Sequence, residues 1–302
     1  MKIAILGLGH VGSSIAANLV IEEVCSEMVL VTRRLDFARA EALDLQHSVC
    51  VSGAPMRVTA GDLVDAAGAD LVMVTVSVSV PPGSADRDLY ARGNGALMRE
   101  LLSEVARHCP NAVLLILSNP LDALTTMAIE LTGFPWQRVI GSGTLLDSAR
   151  WRAGISAYVG VHSDDIRAYV IGEHGPNMVP LISTANIAGQ RAEDPVRQAE
   201  LAARCMQEGL QVFRTRGYTN HAIARAATMI ARAIARNRRE TMPVSVLSDG
   251  YAGIDGVCLS LPCVIGTGGV HRIMHPVLSE PERTMLRQGA ESIRRTLAVC
   301  RG

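Results

Sequence analysis

The chain has 302 residues, 48% of them hydrophobic and 19% charged, with 27 glycines and an aromatic share of only 3%. That length builds its own core without disulfide staples, as one large domain or two interlocked ones. Lysine plus arginine total 29 and aspartate plus glutamate also total 29; zero net charge argues against a nucleic-acid binder or a polybasic membrane module.

KIAILGLG (2–9) is an apolar run ending in glycines, which predicts a strand buried on both faces. VGSSIAANLVIEEVC (11–25) follows with helical spacing and small residues that can lie close to a sheet. EMVLVTRR (27–34) predicts the second strand, and DFARAEALDLQHSVC (36–50) a helix with Ala38, Leu43 and Leu45 available for packing. Further strands are expected at MRVTAG (56–61), DLVMVTVSVSV (70–80), AVLLILSNP (112–120) and RVIGSG (138–143), with helices at 96–108 and 122–133. Strand and helix alternating in this way predict an α/β fold with a doubly wound, mostly parallel sheet.

After about residue 143 the pattern changes. A helix is predicted over 144–160, a strand running into a loop over 165–175, and a long helix over 194–217. TMPVSVLSDG (241–250) and VCLSLPCVIGTGG (257–269) read as strands of a separate antiparallel sheet. Ser279, three residues before Glu282, has the spacing of a capping box and opens a helix that continues to Cys300. No linker separates the halves, so they are expected to pack tightly.

The seven cysteines form no CxxC pair and no metal-ligand cluster, and they read as reduced thiols, most of them buried. No leader-like segment precedes the first strand, and the apolar runs are far shorter than the roughly 20 residues of a membrane span. These features lead to the expectation of a soluble, cytoplasmic protein with no bound metal.

Gly7-Leu8-Gly9-His10-Val11-Gly12 fits GxGxxG at a strand end that opens a helix. The first glycine permits the tight turn, the second lets backbone approach a pyrophosphate, and the third lets helix meet strand. Helix N-terminal amides favour the anion. A packing turn is the bland alternative, but the required order of strand, glycines and helix favours a dinucleotide. The end of the second strand, where an acid would bind the ribose hydroxyls of NAD, carries Thr32-Arg33-Arg34 instead. A hydroxyl beside two guanidiniums suits a 2'-phosphate, so NADP(H) is expected in preference to NAD(H).

Ser118-Asn119-Pro120-Leu121-Asp122, Leu146-Asp147-Ser148-Ala149-Arg150 and Gly172-Glu173-His174-Gly175 form a set with DLQH (44–47), GFP (133–135), VIGSGTLLDSAR (139–150) and RGYT (216–219). In order and spacing this set resembles the lactate/malate dehydrogenase family from end to end, with wording nearest the 2-hydroxyisocaproate branch. The resemblance implies a Rossmann domain over 1–143, followed by an α+β catalytic domain over 144–302. It also implies reduction of a 2-keto acid to an L-2-hydroxy acid, and a homodimer or homotetramer.

That chemistry needs a proton donor for the carbonyl oxygen and a clamp for the carboxylate. His174 is expected to donate the proton, and Asp147 to orient the imidazole and stabilise its charged form. Arg150, three residues from Asp147 on one helix face, is expected to hold the substrate carboxylate. Asn119 is expected near the carbonyl or the histidine and, with Asn94, His10 and Val11, on the cofactor side. Taken singly, each residue has a structural explanation; together with a dinucleotide loop they point to a site.

The family's mobile loop carries an arginine that polarises the carbonyl, and Arg87 takes that place here. Six or seven residues earlier the family places its side-chain selector, an arginine for malate and a glutamine for lactate. This chain offers Val80 or Pro81 there, with one residue inserted. Neither can pair with a second carboxylate, and Thr219 on the opposite wall adds no charge, so a keto acid with an apolar side chain is expected. Arg92 nearby keeps open a malate or lactate enzyme with an atypical selector. A dinucleotide-binding protein without catalysis is the remaining alternative. Pro176 and Asn177 also depart from the family's wording.

Overall fold

The computed structural model describes residues 1–78, 87–191 and 194–302. The first half runs β1 (Lys2–Leu6), α1 (His10–Ile21), β2 (Glu27–Val31), α2 (Leu35–Ser52), β3 (Arg57–Gly61), β4 (Leu71–Val74), α3 (Arg87–His108), β5 (Val113–Ile116), α4 (Leu121–Thr132) and β6 (Val139–Gly141). Then come α5 (Leu145–Val159), β7 (Ile166–Arg167), β8 (Val170–Gly172), β9 (Met178–Pro180), β10 (Asn186–Ile187), β11 (Gln190–Arg191) and α6 (Pro195–Arg216). The last elements are α7 (His221–Ala235), β12 (Glu240–Asp249), β13 (Asp255–Gly266), β14 (Gly269–Ile273) and α8 (Glu280–Arg301).

The sheet order begins β3-β2-β1-β4-β5-β6, and every pair in that run is parallel. Strand order reverses between β1 and β4, and such a switch point opens a crevice at the carboxyl ends of the strands. The expected doubly wound sheet is therefore present. The antiparallel strands are not separate from it: β12 joins β6 through the Ser245–Gly141 pair, and β13, β8 and β9 follow. Gly141 permits this junction, since a Cβ there would lie 2.5 Å from Thr125 Oγ1 and 2.8 Å from Ser245 Cβ. Another small sheet, β11-β10-β7, lies apart. One core cluster takes in Ile5 and Leu115 of the first half and Val246 and Leu286 of the second.

Four local expectations change. The strand predicted over 70–80 ends at Val74, because Thr75 turns its hydroxyl onto the Gly7 carbonyl and the Val78 amide bonds to the Asn94 side chain instead of a ladder. α3 starts at Arg87, well before residue 96. Its early turns contain Gly93 and Gly95, each worth about 1 kcal/mol less than alanine in a helix. Close packing explains Gly95: a Cβ there would sit 2.1 Å from the Cys300 carbonyl oxygen of α8. Leu43 is 58% exposed, because the buried stripe of α2 is Ala38, Ala42, Leu45 and Val49, at helical spacing. α7, β14 and the short strands β9, β10 and β11 are additional to the predicted elements.

α8 begins at the expected capping box, with the Ser279 amide donating to Glu282. It lies across α3 and α4, and Arg99 of α3 donates to the Cys300 and Arg301 carbonyls at its end. All seven cysteines are free thiols, with only Cys50 exposed. Among the described residues no helix is long and apolar enough to cross a membrane.

Candidate active site

The carboxyl ends of β1, β4, β5 and β6 line one edge of the sheet, so the glycine turn, Thr75, Asn119 and Ser142 follow neighbouring strands. Gly7 has φ +98°, a conformation that favours glycine, and its carbonyl is held by Thr75 Oγ1 at 2.7 Å. A Cβ on Gly12 would sit 2.0 Å from that same carbonyl oxygen, whereas a Cβ on Gly9 meets nothing within 4 Å. Gly12 thus serves close packing, and Gly9 leaves open space in front of α1. No side chain caps α1 and its first turn carries no acid, so its leading amides are available to an anion. These features fit a dinucleotide pyrophosphate.

The second half reaches over this turn. The His10 ring stacks on Tyr218, with centroids 3.6 Å apart and planes 7° from parallel. Arg216 also lies over the Tyr218 ring, 4.6 Å from its centroid, and Asn220 Nδ2 donates to Ser14 Oγ at 2.8 Å. The stretch carrying Thr219 is thereby anchored to α1, with Thr219 half-buried. At the end of β2, Thr32 is half-buried and both arginines are exposed. Arg33 pairs with Glu100 of α3 at 3.1 Å, and Arg34 lies 4.5 Å from the Phe37 ring centroid.

The proton-transfer candidates meet around Asp147, which is 5% exposed. Its Oδ2 is 2.9 Å from His174 Nδ1, and its Oδ1 accepts from Arg150 Nη1 at 2.9 Å. Two hydroxyls fix α5 against β8: Thr144 Oγ1 donates to the Val170 carbonyl, and Ser148 Oγ accepts the Val170 amide. Burial works against charge on Asp147, but the bond and charge of His174 and the Arg150 guanidinium outweigh it and hold the carboxyl below its usual value. Burial likewise disfavours a charged His174; the Asp147 bond and charge outweigh that, Asp122 adds to them, and the imidazole pKa is raised despite Arg150. The His174 side chain keeps 28% exposure, enough for its remaining ring edge to meet a ligand. Arg150 lies against Gly209 of α6, where a Cβ would approach Nη1 to 2.9 Å.

Asp122 belongs to this cluster without having been singled out from the sequence. Its Oδ2 accepts the His174 amide at 2.7 Å, and its Oδ1 accepts Ser245 Oγ at 2.6 Å. The SNPLD segment placed this carboxylate in the first turn of a helix, which was an available signal; nothing in the β12 pattern marked Ser245. Asn94, expected on the cofactor side, is 1% exposed. Its Oδ1 accepts the Val78 amide and its Nδ2 donates to the Asn119 carbonyl, so its amide ties two loops together and holds the turn bearing Asn119. Asn119 itself is exposed and precedes a cis proline. Glu173 accepts hydrogen bonds from Asn177 and Ser292. Val80 and Pro81 lie outside the described residues, as does the side chain of Arg87, whose backbone opens α3.

Comparison with known proteins extends the pattern over the whole chain. The family model for the lactate/malate dehydrogenase NAD binding domain matches residues 1–141, and that for the alpha/beta C-terminal domain matches residues 144–299. An L-lactate dehydrogenase of Gloeobacter violaceus is 38% identical, over 98% of this chain and 92% of its own length. One of Moorella thermoacetica is 37% identical, over 98% and 96%. A solved lactate dehydrogenase, MGS-M5 from a Medee basin deep-sea metagenome library, superposes with a TM-score of 0.94 at 31% identity, covering 99% of this chain and 98% of that one. With both halves matched and the glycine turn and histidine–aspartate pair in place, the chain belongs to the lactate/malate dehydrogenase family of dinucleotide-dependent 2-hydroxyacid oxidoreductases.

Proposed function

We propose that the chain interconverts 2-keto and L-2-hydroxy acids bearing an apolar side chain, with NADP(H) preferred over NAD(H). The observation that carries the reaction chemistry is Asp147, shared between His174 and Arg150. Residues 1–143 serve as the dinucleotide-binding part and 144–302 as the substrate part. A dinucleotide held by its pyrophosphate at Gly7, Gly9 and Gly12 would supply hydride to the keto carbon from its reduced nicotinamide.

His174, kept protonated by Asp147, gives its proton to the carbonyl oxygen as negative charge develops there. In the reverse direction, neutral His174 takes the proton from the hydroxyl. Arg150 binds the substrate carboxylate, and its Nη1 also pairs with Asp147 at 2.9 Å. Asn119 hydrogen-bonds at the carbonyl end, and Arg87 stabilises the developing oxyanion as its loop excludes water. Thr219, with Val80 or Pro81, forms an uncharged pocket for the side chain.

The cofactor preference rests on Thr32, Arg33 and Arg34, a strand end without a carboxylate. The family model is described as NAD binding, and NADH is therefore the competitor to test. The oligomer is read as a homodimer or homotetramer. The buried free thiols suit a cytoplasmic setting.

A kcat/KM matrix pairing NADPH and NADH with pyruvate, oxaloacetate, 2-oxoisocaproate and phenylpyruvate tests the proposal. The expected result is highest efficiency with NADPH and the apolar keto acids. The relatives named L-lactate dehydrogenases make pyruvate the alternative to these larger apolar keto acids. Preference for oxaloacetate would bring in a further cation such as Arg92, exposed on α3, and overturn the uncharged pocket.

A further inference from the structure

We propose that Asp122 is a positioning residue for proton transfer: its carboxylate fixes the His174 backbone and adds the second negative charge that keeps the imidazole protonated. This rests on the reading of His174 as the proton donor. The residue is 3% exposed, and a buried carboxylate costs several kcal/mol unless it is well bonded. Both of its oxygens are engaged, one by the His174 amide and the other by Ser245 Oγ. Three elements therefore converge on one carboxylate: α4, the loop after β8, and the junction strand β12. A neutral acceptor would suffice merely to tie them together, whereas the charge acts on the ring.

The ionisable groups facing the imidazole among the described residues are Asp147 and Arg150 from α5 and Asp122 from α4. Glu173, adjacent in the chain, bears on Asp122, and β13 presents the Cys258 thiol to Asp122. On the α8 side, a cavity of about 40 Å³ beside Asp122 and His174 is lined by Ile293 and Thr296, which do not titrate. Two acids thus oppose one guanidinium around the ring. Burial pushes the Asp122 carboxyl up to about 6 against the bonds from Ser245 and His174, so above that pH its charge joins that of Asp147.

Asp122→Asn separates charge from bonding. The asparagine oxygen can still accept the His174 amide, and the Ser245 hydroxyl can turn to accept from the new NH2 group. The measurement is the His174 titration midpoint by NMR of histidine-labelled full-length protein, together with the pH profile of kcat/KM for keto-acid reduction. In Asp122→Asn the midpoint is expected to fall by about one unit, with the high-pH limb of reduction moving down by the same amount. KM for the keto acid and the dinucleotide Kd are expected to be unchanged. An unmoved midpoint in the folded variant overturns the proposal. Should Asp122→Asn not fold, Ser245→Ala is read instead: without the hydroxyl, ionised Asp122 is less favoured, so a smaller downward shift is expected, and no shift overturns the proposal. Because NMR reads the imidazole without turnover, failure here is distinct from failure of the proton-donor reading, which is judged by whether His174→Asn retains activity.

Discussion

The two ends of the cleft are built by opposite means. At the glycine turn, function comes from what is missing: Gly9 has open space before it, α1 carries no side-chain cap, and Gly12 meets the Gly7 carbonyl where no side chain would fit. At the proton-transfer end the relevant polar atoms are engaged. Asp147 holds His174 and Arg150, and Asp122 holds the His174 amide and Ser245. An anion brought by a ligand can use unpaired amides, so one end is left unsatisfied. A titratable group needs a fixed electrostatic setting, so the other is closed.

If that contrast is right, removing the histidine should abolish chemistry and spare binding. His174→Asn is expected to lower kcat by about 10²- to 10⁴-fold, with dinucleotide binding, followed by fluorescence, nearly intact. Retained turnover would remove His174 from the reaction.

The two glycines should then part company. Gly12→Ala forces a side chain into the Gly7 carbonyl, an overpacking worth about 1–3 kcal/mol or more, so both Tm and dinucleotide affinity are expected to drop. Gly9→Ala meets no protein atom, and it is expected to keep the parent Tm while weakening the dinucleotide. Equal Tm losses in the two variants would contradict the open turn.

The smallest effects are expected at the end of β2. Replacing Arg33 and Arg34 with alanine should weaken NADPH by about tenfold, with NADH hardly affected. Glu100→Gln releases Arg33 from an exposed pair that is worth less than about 1 kcal/mol, and it should improve NADPH binding only slightly. Equal losses for both cofactors in the arginine variant would mean that these side chains do not read the 2'-phosphate.

The glycine turn was legible because everything that makes it lies within a few residues, and the parallel sheet because its strands are continuous apolar runs. The pairing of Asp147 with Arg150 was legible for the same reason, three residues apart on one helix. Asp122 was visible only as part of a motif, since its partners Ser245 and His174 are brought to it by β12 and the loop after β8. The merging of the antiparallel strands with the parallel sheet depends on one Gly141–Ser245 pair, which no periodicity announces. The early start of α3 was not legible because the reasons for its two glycines are distant in sequence: Gly95 packs against the Cys300 carbonyl of α8 and Gly93 against the Val78 side chain. α7 is different: its buried Ala224, Ala227, Ile230, Ala231 and Ile234 repeat at helical spacing, a signal present in the sequence and left unread.

The seating of α8 across α3 and α4 has a consequence for how the protein is made. The parallel half leaves the ribosome first, but the helix that covers it is synthesised long afterwards, following the rest of the substrate half. Until then the apolar faces of α3 and α4 stand uncovered in the nascent chain. Synthesis order therefore makes the earliest half the last to be sealed, and a nascent chain stalled before residue 280 would present the surface that chaperones bind.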